Sequence, residues 1–353
     1  MRRLDRYIFN QILLSIGLVL LIFIGVYIIF SFVGEMHNFN KGYGLFTAIL
    51  PVLYSIPKNL IFMIPLASLL GTLIALGYLA DHSELTAMRA GGFSVLKIAL
   101  VVLKAGILIA LISVMFAAFI SPFFQKKSLL SDLKSKRNDS FLLTPEATWL
   151  KSGQDFIYIG GSQGSDALQK VVKYHFNAGE LVSITWAEEA IYKEGAWHLF
   201  HLSEVDLSLE RVLEKDTSEA IWPDLVPPTL LKAVSSTMDN LNVIELYRYL
   251  NYRHLNGLDT RPYELKIWQI YAQALSIIVL MLIAVPFAFG QFRSSSLGFR
   301  LVLGVMLGVG FFLLDRFFGP MVLLMNWPIF LGAFLPSLIF LGLAGIFFWR
   351  FTR

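Results

Sequence analysis

His198 and His201 stand three residues apart in the apolar run 197–202, and Glu188-Glu189 lie in a similar run just before it. These residue types ligate metals and exchange protons. In an extended strand, however, positions three apart point to opposite faces, so the spacing separates the two imidazoles. The paired glutamates alternate in the same way and read as solvated. No H-E-x-x-H occurs, the six His are scattered, and no nucleophile stands beside a base. No G-x-x-x-x-G-K-[ST] run cradles a phosphate, so an ATP site is absent from the motifs. The chain has no Cys, which excludes disulfides, thiolate catalysis and Cys-bound metals. Asn138-Asp139-Ser140 matches a glycosylation acceptor, a pattern short enough to recur by chance. The expectation is a non-catalytic chain that binds no cofactor or metal of its own.

Polar chemistry gathers instead at the ends of apolar runs. The stretch 71–92, GTLIALGYLADHSELTAMRAGG, leaves one such run at Ala80. Asp81 and Glu84 have the spacing of a capping box, and Gly91-Gly92 supplies a left-handed stop, so a helix of about two turns is expected between them. Such a rigid element held between two spans is suited to transmit a push; it also reads as an ordinary helical connector. Lys41 and Lys58 fall at the ends of the first two spans, and Lys126, Lys127 and Lys134 follow the third. They read either as headgroup anchors or as a basic rim that pairs with an anionic lipid. Asp315-Arg316 reads as a self-compensating pair, or as a residue pair that sets the position of the fifth span. Gly304 and Gly308 form a GxxxG that lets another helix approach closely.

The elements that position these groups follow from composition. Of 353 residues, 56% are hydrophobic and 15% charged, well below the roughly 25% charge of soluble domains. This predicts an α-helical membrane protein. Uncharged runs at 7–34, 59–80, 267–292 and 329–349, and largely apolar runs at 98–125 and 297–318, are each long enough to cross about 30 Å of hydrocarbon. Residues 43–57, broken by Pro51 and Pro57, read as an interfacial helix or as the start of a long second span. Lys104 lies near the start of the third span, where its stem can snorkel.

Residues 126–266 differ in kind, with 16 Lys/Arg against 20 Asp/Glu, while the rest of the chain holds 13 against 5. Short β-rich runs at 147–151, 156–160, 168–176, 181–186, 190–193, 197–202 and 205–213 predict seven or eight strands in an all-β, jelly-roll-like insert. Residues 242–255 have helical spacing and lead back to the membrane. The expected division is therefore 1–125 with a coupling helix at 81–92, a β domain at 126–240, a connecting helix at 241–266, and spans four to six at 267–353. With both termini inside, Arg2, Arg3, Arg6, Arg89, Lys97, Arg293, Arg300, Arg350 and Arg353 are cytoplasmic, against Lys41, Lys58 and Arg316 outside. That positive-inside bias places the β domain outside.

The run LLGTLIALGYLADHSELTAMRAGGFS at 69–94 resembles the second span and coupling helix of the lipopolysaccharide-export permeases, the LptF/LptG family. LDRYIF at 4–9, SIPKNL at 55–60, PFAFG at 286–290, Leu297-Gly298-Phe299-Arg300 and Asp315-x-x-Phe318-Gly319-Pro320 fit the same family. The LDRY, SIPK and DxxFGP segments lie on its LptG side, with the paralogous LptF type as the alternative within the family. The resemblance implies a bacterial inner-membrane subunit of an ABC transporter, with an LptF-like permease as heterodimer partner and an LptB-like ATPase dimer that binds ATP and magnesium. It further implies an LptC-like single-span protein, an LptA-like periplasmic bridge and lipopolysaccharide as the ligand, with no nucleic acid. By the same resemblance Asp81, Ser83, Glu84, Leu85 and Arg89 belong to the ATPase-coupling helix and Lys58 and Lys41 to a basic rim, with Lys126, Lys127 and Lys134 carried over only as a patch. Gly91-Gly92 is slightly smaller than the family pattern there. Two other classes remain: a membrane-embedded lipid-modifying enzyme using Asp315 or a β-domain acid as base, and a scaffold that recruits partners through the β domain. The lack of an acid or His near mid-span weighs against the enzyme.

Overall fold

A computed structural model describes residues 2–36, 45–125, 127, 148–162, 166–207, 213–222, 241–289 and 297–352. The chain divides into a helical unit, 1–132 with 264–353, and a second unit, 133–263.

Among the described residues six helices are long and apolar enough to cross a membrane. They are α1 (Arg2–Met36), α2 (Leu45–Asp81), α4 (Val95–Met115, continued to Gln125), α6 (Arg261–Phe289), α7 (Leu297–Leu324) and α8 (Ile329–Thr352). The short α3 (Glu84–Ala90) joins α2 to α4, and α5 (Val243–Leu255) precedes α6. α2 is one continuous helix of 37 residues, so the start of a long span forms rather than a separate interfacial helix. Its prolines each remove a backbone donor four residues downstream of a carbonyl. The carbonyl that Pro65 leaves without a helical donor is that of Ile61, and the side-chain amide of Gln273 on α6 donates to it at 2.5 Å. A polar side chain thus repairs a helix where lipid offers no water.

α2 lies between the two main cores. Leu76 and Leu79 pack with Ile8, Ile12, Ile98, Met281 and Val285. Leu69, Leu70 and Leu73 pack with Leu280, Ile283, Phe311 and Phe340. Gly304 and Gly308 on α7 do face a neighbour closely, the side chains of Leu73 and Leu66 on α2. The tighter crossing is elsewhere. A Cβ at Gly71 would stand 2.6 Å from the Cα and 2.7 Å from the backbone N of Ile16. Leucine tips can rotate away from a new methyl; the α1 backbone cannot. Gly71→Ala is therefore expected to cost about 2 kcal/mol, and Gly304→Ala less than half of that. Heat-induced aggregation of the detergent-solubilised chain should fall in that order, and equal midpoints would refute the ranking.

α4 passes into a π-helical turn at Phe116–Ile120, a local widening of the helix with no signature in the apolar run. Beyond it Ser121 and Gln125 are buried and bonded to each other at 2.8 Å.

In the second unit the strands are β1 (Thr148–Ser152), β2 (Asp155–Ser162), β3 (Ala167–Asn177), β4 (Glu180–Lys193), β5 (Ala196–Asp206) and β6 (Leu213–Trp222). Among the described residues they form one antiparallel sheet in sequence order. The hairpins turn where turn residues stand, at Ala178-Gly179 and Glu194-Gly195, each with both residues at positive φ. Among the described residues there are six strands: the runs 181–186 and 190–193 are one strand, β4, the run 205–213 is not a strand of its own, since its start lies in β5, and β6 (Leu213–Trp222) follows where no run was expected.

The reason that β4 reads as two runs is a row of defects. Gly160, Lys170, Glu188, His201 and Ser218 each drop out of the pairing between neighbouring strands, although the residues on either side are paired. Lys170 and His201 take left-handed backbone, φ 53° and 54°. The consequence is a one-residue slip in alternation. Leu168 and Val171, Ala187 and Ala190, and Leu199 and Leu202 are all buried, though each pair is three apart. Strict alternation would expose one member of every pair. The slip also corrects the expectation for the histidines. His198 and His201 both lie outside the buried rows instead of on opposite faces, His198 bonded to Glu219 at 3.3 Å and His201 near Glu188 at 3.9 Å. Glu188 and Glu189 are both exposed. Among the described residues no group of three His, Asp or Glu is placed to hold a metal.

Candidate functional site

The polar residues of 81–97 assemble where α2, α3 and α4 meet. The sequence expectation of an Asp81 cap is corrected here: Asp81 ends α2, and the residue before α3 is Ser83, in left-handed backbone (φ 60°) with no side-chain cap bond. Its N–H donates to the Ala80 carbonyl and that of His82 to Tyr78, so the chain closes one turn before starting another. Asp81 has a different task. Its carboxylate accepts from the guanidinium of Arg300 in the first turn of α7. Arg300 is almost fully buried and Asp81 about 39% exposed at the side chain. A buried guanidinium cannot shed its charge, so it requires a carboxylate nearby.

The stop at Gly91-Gly92 forms as its residues imply. Gly92 has φ 82°, the Phe93 N–H donates to Met88 O at 2.9 Å, and the Gly92 N–H donates to Arg89 O at 3.0 Å. This is the double bond pattern of a Schellman motif, closed by apolar packing of Phe93 and Met88. Ser94 then caps α4, its hydroxyl accepting from the Lys97 N–H.

A seven-residue helix is too short to be stable alone. Leu85 (2% exposed) and Phe93 (3%) hold it down among Ile8, Ile12, Leu79, Ile98 and Val285. The Arg89 guanidinium lies 5.9 Å from the Phe289 ring at the end of α6. α3 and its flanks are thus fastened to α1, α2, α4, α6 and, through Asp81, α7. The opposite side carries His82, Ser83, Thr86, Ala87 and Arg89 in exposed positions. Five attachments beneath one short exposed face make an arrangement that distributes a force applied to that face.

Arg300 is the member that the sequence reading placed in a charge count and in the family-like segment 297–300, but gave no role at this site. Its signal was present: an Arg in an otherwise apolar first turn, opposite the single acid that ends α2.

At the other end of the same helices the basic residues are spread out. Lys58 is half-buried on α2, one residue before Asn59, which donates to the Tyr27 hydroxyl at 2.9 Å; that hydroxyl is 2.6 Å from Ser55 Oγ. Lys127 lies over the Phe123 ring at 4.6 Å. Arg316 lies over Phe62 (4.9 Å) and Phe312 (5.2 Å). Among the described residues no salt bridge joins Asp315 and Arg316, because consecutive helix positions diverge by about 100°, but the Arg316 charge still acts on Asp315 through space. Lys41, Lys126 and Lys134 lie outside the described residues.

Comparison with known proteins gives one family. The profile of the lipopolysaccharide export system permease LptF/LptG matches residues 6–350. The lipopolysaccharide export system permease protein LptG of Escherichia coli K12 is 32% identical over 342 residues, covering 96% of this chain and 95% of that protein. The protein of the same name from Haemophilus influenzae is 30% identical over 342 residues, covering 96% of each.

Proposed function

Because the chain belongs to the lipopolysaccharide export permease family LptF/LptG, we propose that it is the LptG-type subunit of an inner-membrane ABC transporter, driven by a separate ATPase. The observation that carries the coupling role is the exposed face of α3 above five helix attachments. The LptG assignment is supported by the names of both relatives and by the LDRY, SIPK and DxxFGP segments. In this reading both termini and α3 are cytoplasmic, and the β unit is periplasmic. An LptF-like chain completes the membrane part, an LptB-like dimer supplies ATP and magnesium chemistry, and an LptC-like helix and an LptA-like bridge complete the path. The chain itself performs no catalysis and holds no cofactor.

Lys58, Lys127 and Arg316, with Lys41, Lys126 and Lys134, are the cations available to lipid phosphates in this reading. Their attraction weakens as salt rises, because exposed charges are screened over about 10 Å at 0.1 M.

The test is a pull-down of the tagged full chain from its native membranes. The chain should bring down a soluble ATPase and a second six-span protein. Ala87→Arg, on the exposed face of α3, should lose at least nine-tenths of the ATPase and keep the second permease. Recovery without any ATPase, from membranes that contain one, would overturn the proposal.

A further inference from the structure

β1 is an end strand of its sheet, and an end strand offers a row of unpaired N–H and C=O groups to any passing chain. In an antiparallel ladder every second residue turns both groups away from its partner strand. Lys151, opposite Phe156 in β2, is such a residue, and α5 occupies both of its groups. The Tyr252 hydroxyl accepts from the Lys151 N–H at 3.1 Å and donates to the Lys151 carbonyl at 2.7 Å. Two residues on, the Gly153 N–H donates to Asn256 Oδ1 at 2.9 Å, while the other end of that amide donates to the Tyr252 carbonyl at 2.9 Å. The side chains of α5 therefore stand where the backbone of a seventh strand would stand.

Everything around these two groups fixes them. Asn242 and Glu245 form a full capping box at the start of α5. At its end Leu258 N–H bonds to Arg253 O and Gly257 N–H to His254 O, a Schellman stop with Gly257 at φ 62°. Tyr252 stacks on Tyr249 at 5.8 Å. Burial pushes the Tyr252 hydroxyl above its ordinary pKa, so the group remains protonated and can donate and accept together.

We propose that α5 guards the β1 edge: Tyr252 and Asn256 act as a stand-in strand that keeps an extended segment of another chain from pairing there. This deepens the functional reading, on which it rests for the expectation that the β unit meets partners by strand addition. Under that reading the guard gives the sheet a direction, closed at β1 and left to pair at its other end.

The test uses the full chain in membranes that contain its partners, with Tyr252→Phe and the double change Tyr252→Phe/Asn256→Ala. Tyr252→Phe keeps the ring and its stacking, so it remains informative where the double variant fails to fold. Amide exchange at Lys151 and Gly153 should be at least tenfold faster in the double variant, and at Lys151 in the single one. A photo-cross-linking phenylalanine at Trp149, an exposed β1 position, should capture another chain only when the guard is removed. The same probe at Ile221 in β6 serves as comparison. Unchanged exchange, or equal capture from Trp149 in the unaltered chain, overturns the guard. Faster exchange with new Trp149 capture but none from Ile221 in any chain supports the guard and counts against strand addition at β6 instead.

Discussion

Asp81→Ala is expected to destabilise the helical unit far more than Arg300→Met, although each deletes the same ion pair. The two partners differ in what they leave behind. Without Asp81, a guanidinium that is 3% exposed loses this carboxylate and cannot neutralise itself; removing one partner of a buried ion pair typically costs about 3–5 kcal/mol. Without Arg300, Asp81 remains about 39% exposed, and water takes over, at a cost of about 1 kcal/mol or less. Methionine fills most of the space the guanidinium stem occupied. Heat-induced aggregation in detergent should therefore begin several degrees lower for Asp81→Ala than for Arg300→Met. The double variant should resemble Arg300→Met. If the two single variants melt together, the pair is a surface contact and α7 is not fastened to α2 through it.

The second large effect concerns Leu85 and Phe93. Both are buried beneath α3, and neither belongs to its exposed face. Truncating a buried Leu to Ala costs about 3 kcal/mol, and since 1.4 kcal/mol is tenfold, the docked form of α3 should lose about 150-fold in population relative to the undocked one. Leu85→Ala and Phe93→Ala should then separate two quantities that Ala87→Arg removes together. The ATPase should still co-purify, because the exposed face is intact, while lipid transport per ATP hydrolysed falls at least tenfold. Reconstituted vesicles with radiolabelled lipopolysaccharide and a phosphate assay measure both. Should transport and hydrolysis fall in equal proportion, α3 acts only as a binding site and transmits nothing.

The membrane spans were legible because the bilayer imposes one simple demand, a long and predominantly apolar run, and the stop at Gly91-Gly92 because only a glycine takes its φ of 82° comfortably. The Asp81–Glu84 spacing misled for a physical reason. A carboxylate three residues before a Glu can cap a helix, but Arg300, more than two hundred residues away in sequence, competed for it and won. The same limit hid Gly71, whose partner Ile16 lies on another helix, whereas the local GxxxG of Gly304 and Gly308 was visible. Tyr252 was one aromatic residue among several in an amphipathic run, and no local pattern announces that its hydroxyl meets a strand a hundred residues earlier. β4 reads as two runs because the apolar alternation breaks at Glu188, which looks like the end of one run and the start of another.

That break has an evolutionary corollary. Because the slip at Lys170, Glu188 and His201 runs across adjacent strands, it works only when every strand shares it. Losing one residue at the defect in β3 alone would restore ideal alternation there, but Leu168 and Val171 would then be two apart while Ala187 and Ala190 opposite them stay three apart, so one half of β3 would fall out of register with β2 and β4. Insertions and deletions should therefore accumulate at the hairpin tips around Gly179 and Gly195 and be purged from the middle of the strands. Descendants of this chain are free to lengthen their loops, but they inherit the fault line whole.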